Sequence, residues 1–101
     1  MLNRFLTQTQ FSSVDDYKEN LHFIIPENFN FAYDVMDVWA EEKPEKTALL
    51  WADDEGSSHS FSFKEMKELS DKAASYFMSL GIGHGDMVML ILKRKYEFWI
   101  S

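Results

Sequence analysis

Residues Met87–Leu92 read MVMLIL, six apolar side chains in succession, with Asp86 before them and Lys93 after. A run without polar alternation has no wet face, so it requires cover on both sides, as central strands of α/β sheets have. It is far shorter than the roughly 20 residues of a membrane-spanning helix. A chain containing this run must bring helices or further strands against it, and the rest of the sequence is read for what it can bring.

The segment before the run is the most explicit. Ser62-Phe63-Lys64-Glu65 has the S-x-x-E form in which the first side chain and the last satisfy each other's free backbone donors at a helix start. Met66, Leu69, Ala73, Phe77 and Leu80 then make one apolar stripe. Gly81 stands where a left-handed C-terminal residue is needed, and Ile82 can fold back on the last turn. Gly83-His84-Gly85-Asp86 makes a tight reversal into the apolar run.

Further upstream, Thr47–Ala52 reads as a buried strand, DDEGSS as a polar loop turned by Gly56, and Ser58–Phe63 as an alternating strand with one wet face. Together they predict a hairpin. In FAYDVMDVWAEEK, Phe31, Val35, Val38 and Trp39 share a face at 3.6-residue spacing, with Ala32, Met36 and Ala40 beside them. Asn30 is the candidate N-cap, and Pro44 disfavours helical geometry at Lys43. Before that, VDDYKEN (residues 14–20) predicts a short helix capped by Ser13, and Leu21–Phe29 an irregular connector. After the run, Tyr96–Ile100 predicts the start of a helix. The order is helix, strand, strand, helix, strand, helix start: α/β, with helices packed on a small sheet.

Composition narrows the function. The chain has 101 residues, 17 acidic against 10 basic, a formal charge of −7, 16 aromatic residues and no cysteine. The acidity opposes a nucleic-acid footprint, which must displace counterions, and docking on an anionic membrane. No nucleic-acid partner and no membrane insertion are expected. Without cysteine there is no disulfide, thiolate nucleophile or thiolate metal site. That fits a reducing compartment, and a cytoplasmic location is expected. Residues 1–13 lack acids but carry a single Arg, too few for a transit peptide.

Candidate chemistry is sparse. The glycines 81, 83 and 85 follow a helix and precede a strand, the reverse of a phosphate cradle, so they read as a helix stop and a turn. His22, His59 and His84 have no ligand spacing. Asp53, Asp54 and Glu55 lack the calcium-loop pattern and read as a solvated turn. Lys93, Arg94 and Lys95 form the one basic triplet. It follows the apolar run, where an anion would gather at a strand's carboxyl end, but it reads more simply as a solvated exit. Tyr96, Phe98 and Trp99 read as core side chains of the following helix. No nucleophile–base pair emerges from spacing, so no catalytic, cofactor-binding or metal residue is assigned.

One longer arrangement adds to this. SFSFKEMKELSDKAASYFMSLGIGHGDMVMLILKRKYEFW resembles the early N-terminal region of AMP-forming acyl-CoA synthetases. The resemblance rests on Ser62, Phe63, Glu68, Leu69, Ala73, Ala74, Gly81, Ile82, Gly85, Asp86, Arg94, Glu97, Phe98 and Trp99. FNFAYDVMDVWAEEKPEKTALLW is similar to the family's first helix and strand, and Arg94–Trp99 is most like the medium-chain branch. Luciferase-like and peptide-synthetase adenylation enzymes share part of the pattern.

The resemblance covers residues 28–101, the incomplete N-terminal portion of a large AMP-binding domain, with residues 1–27 as an extension bearing a short helix. It implies a parent ligase that activates a carboxylate with ATP and Mg2+ to an acyl-adenylate, then transfers the acyl group to CoA. The family's Lys-bearing phosphate loop, Thr-Glu magnesium site, ribose-binding Asp and adenylation Lys have no counterpart here, so the chain alone is expected to be inert. Its expected partners are the remainder of a synthetase chain and, in isolation, a second copy of itself. The competing expectation is a stand-alone α/β interaction or regulatory module without catalysis.

Overall fold

The computed structural model of the chain describes residues 2–101. Among the described residues six helical pieces and a two-stranded antiparallel sheet make an α/β arrangement. After a single 3-10 turn at Leu2–Arg4 comes α1, Val14–Asn20. Ser13 caps it, its hydroxyl accepting from the Asp16 amide at 3.1 Å. The Asp16 carboxylate in turn accepts from the Ser12 amide at 2.7 Å and from Asn20, which holds its pKa below the usual range. The flanking segments fold against each other through a bridge between Leu6 and Phe23 and an edge-to-face contact of Phe5 with Phe29 at 5.6 Å. Leu21–Phe29 is otherwise irregular, as predicted.

Asn30 begins the next helix as expected. Its side-chain oxygen accepts from the Ala32 amide at 2.9 Å, while Asp34 accepts from the Asn30 amide at 2.8 Å. The winding departs from expectation, because Ala32–Asp37 is a π-helix and only Val38–Glu42 (α2) is α-helical. The wider π turn, closed by i→i+5 hydrogen bonds, rotates earlier residues off the 3.6-residue face. Phe31, placed on that face by spacing alone, is accordingly exposed. Helical geometry ends at Lys43, ahead of Pro44.

The hairpin pairs β1, Thr47–Ala52, with β2, Ser58–Ser62, with an irregularity between Thr47 and Leu49. Gly56 has φ +88° in the connecting loop, and the Asp53 carboxylate accepts from the amides of Glu55 and Ser57. A hairpin covered by one helix has a single protected face. Leu50 is therefore outward and exposed, which corrects the expectation that β1 is buried throughout.

Helix α3, Phe63–Ser79, starts on a fully formed capping box. Glu65 donates its amide to the Ser62 hydroxyl at 3.2 Å and accepts from the Ser62 amide at 2.8 Å. The amides of Phe63 and Lys64 donate to the carbonyls of Lys46 and Pro44. All four free donors of the helix start thus have partners. Around this point Trp39 stacks on Phe63 at 5.5 Å, Lys46 lies over the indole at 4.5 Å, and Phe61 and Met66 form the small buried core. Leu80, at the far end of the predicted stripe, is exposed. The helix stops in a Schellman motif: Ile82 donates to Phe77 and Gly81 to Met78, with Gly81 at φ +84°.

The apolar run is the main correction. Met87–Leu92 belongs to no sheet, and among the described residues no backbone hydrogen bond reaches it. Fractional exposure runs 97, 47, 83, 39, 87 and 45% from Met87 to Leu92. That period of two is the signature of an extended ribbon. Its backbone takes the predicted shape but has no neighbouring strand, so the pairing that defines a strand is missing. The short helix α4, Glu97–Ile100, follows. The chain exposes 8375 Å², against about 5,900 Å² for a folded monomer of its mass. Its radius of gyration is 17.2 Å, against about 13 Å for a compact domain of this length.

The capping box gives a test with a defined sign. Ser62→Ala removes one acceptor and is expected to cost about 1 kcal/mol, read as faster amide exchange over the first turn of α3. Glu65 is held below its ordinary pKa by the Ser62 amide and then by its hydroxyl. Its contribution is therefore complete above the unfolded-state value, about 4.3, and is lost as pH falls through the lowered folded value. In Glu65→Gln that acid-side loss should vanish; an unchanged acid titration of α3 helicity would refute the assignment.

Candidate functional site

The Schellman stop and the turn after it fix where the apolar ribbon leaves α3. Asp86 donates its amide to the Gly83 carbonyl at 3.1 Å, and its carboxylate accepts from the Gly83 amide at 2.8 Å. Gly85, at φ +90°, supplies the left-handed residue of the turn. The glycine cluster is thus a helix stop and a reversal, as its order in the sequence implies. The amides of Gly81 and Gly83 are taken by the Met78 carbonyl and the Asp86 carboxylate.

Beyond the ribbon the chain is anchored back on the hairpin. The Trp51 indole N–H donates to the Arg94 carbonyl at 2.8 Å. Tyr96 packs edge-on against Trp51 at 5.4 Å and lies 5.0 Å from Phe61, with His59 between Phe61 and the solvent edge at 4.1 Å. Between β1 and this returning segment runs an open groove of about 610 Å³, walled by Leu49–Ala52 and by Leu92, Lys93 and Arg94. The basic triplet is exposed along it. Of the three aromatics expected in the core, only Tyr96 packs there. Phe98 and Trp99 touch each other edge-to-face and are otherwise more than half exposed. A four-residue helix has too few neighbours to bury two large rings.

A second groove, about 510 Å³, lies between the π-helical segment and α3, with Met36, Leu49, Met66 and Trp99 along it. At its rim Lys67 donates to Asp37 at 2.8 Å and to Asp71 at 3.2 Å. The bond to Asp37, then that to Asp71, holds the Lys67 pKa above the ordinary lysine value. The Lys67–Asp71 half is legible as an i,i+4 pair; Asp37, 30 residues earlier, is not.

His59 lies in the aromatic cluster, the His22 carbonyl accepts from Thr7, and His84 sits in the glycine turn. Among the described residues no three imidazole or carboxylate side chains converge as metal ligands. Among the described residues the carboxylates of Asp37 and Asp71 that meet at Lys67 are engaged by its ammonium, and the glycines 81, 83 and 85 follow a helix rather than open one, so this donor set does not fit magnesium-bound ATP.

Comparison with known proteins decides the family. The description AMP-binding enzyme matches residues 36–101. The chain belongs to the AMP-binding enzyme family. Mitochondrial acyl-coenzyme A synthetase ACSM3 of Homo sapiens is 36% identical over 105 aligned residues, spanning 98% of this chain and 18% of that protein. Human mitochondrial ACSM4 is 39% identical over 82 residues, 75% of this chain and 14% of its own length. Mitochondrial ACSM5 of Rattus norvegicus is 36% identical over 83 residues, 76% and 14% respectively. The chain therefore spans less than a fifth of the length of the relatives it matches. The relatives' names place them in mitochondria, which overturns the cytoplasmic expectation. Absence of cysteine constrains redox chemistry but carries no address.

The Lys67 bridge is testable on the alkaline side. A lysine with a raised folded pKa contributes stability that is complete below its unfolded value, about 10.4, and is lost as pH rises through the folded value. Lys67→Met keeps the aliphatic stem. Denaturant unfolding at stepped pH should show a steeper alkaline loss for the natural chain than for this variant. Parallel curves would remove Lys67 as the link between the π-helical segment and α3.

Proposed function

We propose that this chain serves as the N-terminal scaffold of an AMP-forming acyl-CoA synthetase acting on carboxylic acids in mitochondria. The observation that carries this is its 36% identity, along nearly its whole length, to a protein of which it spans 18%. In such an enzyme ATP and a carboxylate give an acyl-adenylate and pyrophosphate, and the CoA thiol then displaces AMP. ATP, accompanied by magnesium, and CoA are the cofactors of that reaction.

This chain's own residues would do none of the bond making. Their part is to hold a frame. The capping box fixes α3 on the hairpin, and the glycine turn sends the apolar ribbon away at a set angle. Exposed surface of about 2,400 Å² beyond that of a self-contained monomer favours a scaffold over a stand-alone module. So do the exposed Leu50, Leu80 and Trp99, side chains that rest of a large domain would cover.

Carboxylate-dependent exchange of labelled pyrophosphate into ATP tests the reading. The 101-residue chain alone should give none above background. Adding it to a synthetase relative that lacks the aligned region should restore exchange. Robust exchange by the chain alone, or no restoration with a soluble partner, would overturn the scaffold assignment. Cell fractionation that finds the protein only in cytosol would overturn the mitochondrial location.

A further inference from the structure

The ribbon Met87–Leu92 has free amides and carbonyls along its length and an unusually even division of its faces. Val88, Leu90 and Leu92 lie on the half-covered face, and Met87, Met89 and Ile91 on the open one. An extended segment with unpaired backbone groups is a template for another strand. Its flanks carry opposite charge, Asp86 at one end and Lys93, Arg94 and Lys95 at the other.

Those flanks discriminate between partners and between registers. Parallel pairing of two copies would set acid beside acid and base beside base. Antiparallel pairing about a two-fold axis sets opposite ends together. Directly opposed residues in an antiparallel pair share a face, and a two-fold perpendicular to the ribbon preserves faces. Odd positions must then oppose odd, and even oppose even, so the axis passes through a residue. An axis at Met89 would put Asp86 opposite Leu92; one at Ile91 would put Arg94 opposite Val88. An axis at Leu90 puts Val88 opposite Leu92, Met89 opposite Ile91, and Asp86 opposite Arg94. Only this last register matches charge with charge and apolar with apolar.

We propose that, when not assembled with further synthetase chain, two copies of this protein pair their Met87–Leu92 ribbons antiparallel about Leu90, closed at each end by Asp86 and Arg94. Trp51 holds the Arg94 carbonyl at one end and the Gly83–Asp86 turn sets the other, so the ribbon is presented between two fixed points.

The chain has no native cysteine, which permits a direct register test. Leu90→Cys places a thiol on the axis, and opposed strand Cα atoms lie within about 4.5–5.5 Å, inside disulfide range. It should form disulfide-linked dimers under mild oxidation. Val88→Cys and Leu92→Cys should each cross-link poorly alone but efficiently when mixed. In sedimentation of the natural chain over a concentration series, a monomer–dimer equilibrium is expected. Arg94→Asp, which sets acid opposite Asp86, should weaken it about tenfold, and adding Asp86→Asn, whose side-chain oxygen can still accept from the Gly83 amide, should recover part of that loss.

Far-UV circular dichroism checks that α3 survives in each variant, and the cysteine series does not disturb the turn that uses Asp86. A monomer at every concentration, cross-linking without preference for Leu90 and the mixed pair, or an Arg94→Asp chain that associates as tightly as the natural one would each overturn the pairing. None of these outcomes bears on pyrophosphate exchange, so this inference can fail while the scaffold reading stands.

Discussion

The start of α3 is the point on which the rest of this chain depends. Four strands of constraint meet within a few residues: the Ser62–Glu65 capping box, the Pro44 and Lys46 carbonyls, the Trp39–Phe63 stack, and the buried pair Phe61 and Met66. Unpaired helix-end donors are costly when shielded from water, so the loop after α2 is held wherever those amides need acceptors. This ties the helix before the hairpin to the helix after it. A modest apolar core is sufficient locally because the polar groups around it are satisfied.

What was legible in the sequence follows the range of the interactions. The Ser13 and Ser62 caps, the Asn30 start, the Gly56 loop and the Gly81 stop each depend on residues within about five positions, and all stand where the spacing puts them. Burial was less legible, since it depends on what lies opposite. Leu50, Phe31, Phe98 and Trp99 have the composition of core residues and yet face solvent. The Met87–Leu92 ribbon makes the same point for backbone: alternation and shape are local, but pairing needs a second strand. The Asp37–Lys67 bridge and the Trp51–Arg94 bond had no sequence signal, because each joins segments far apart along the chain.

The family assignment and the surface chemistry point the same way. The chain spans 18% of the length of its ACSM3 relative, and polar groups of Ser62, Glu65, Gly83, Asp86 and Lys67 are engaged in a cap, a turn and a bridge. Exposed large side chains lie along the ribbon and the last helix and also between Val14 and Tyr33.

The Trp51 bond to Arg94 closes a loop of 43 residues that contains the whole of α3. Closing so long a segment costs on the order of 3 kcal/mol in chain entropy, whereas the hairpin loop closes over only a few residues. The returning tail has one indole hydrogen bond and the Tyr96 contacts to offset that cost. Time order follows from this inequality: hairpin and α3 assemble early from local contacts, and the tail settles on them last.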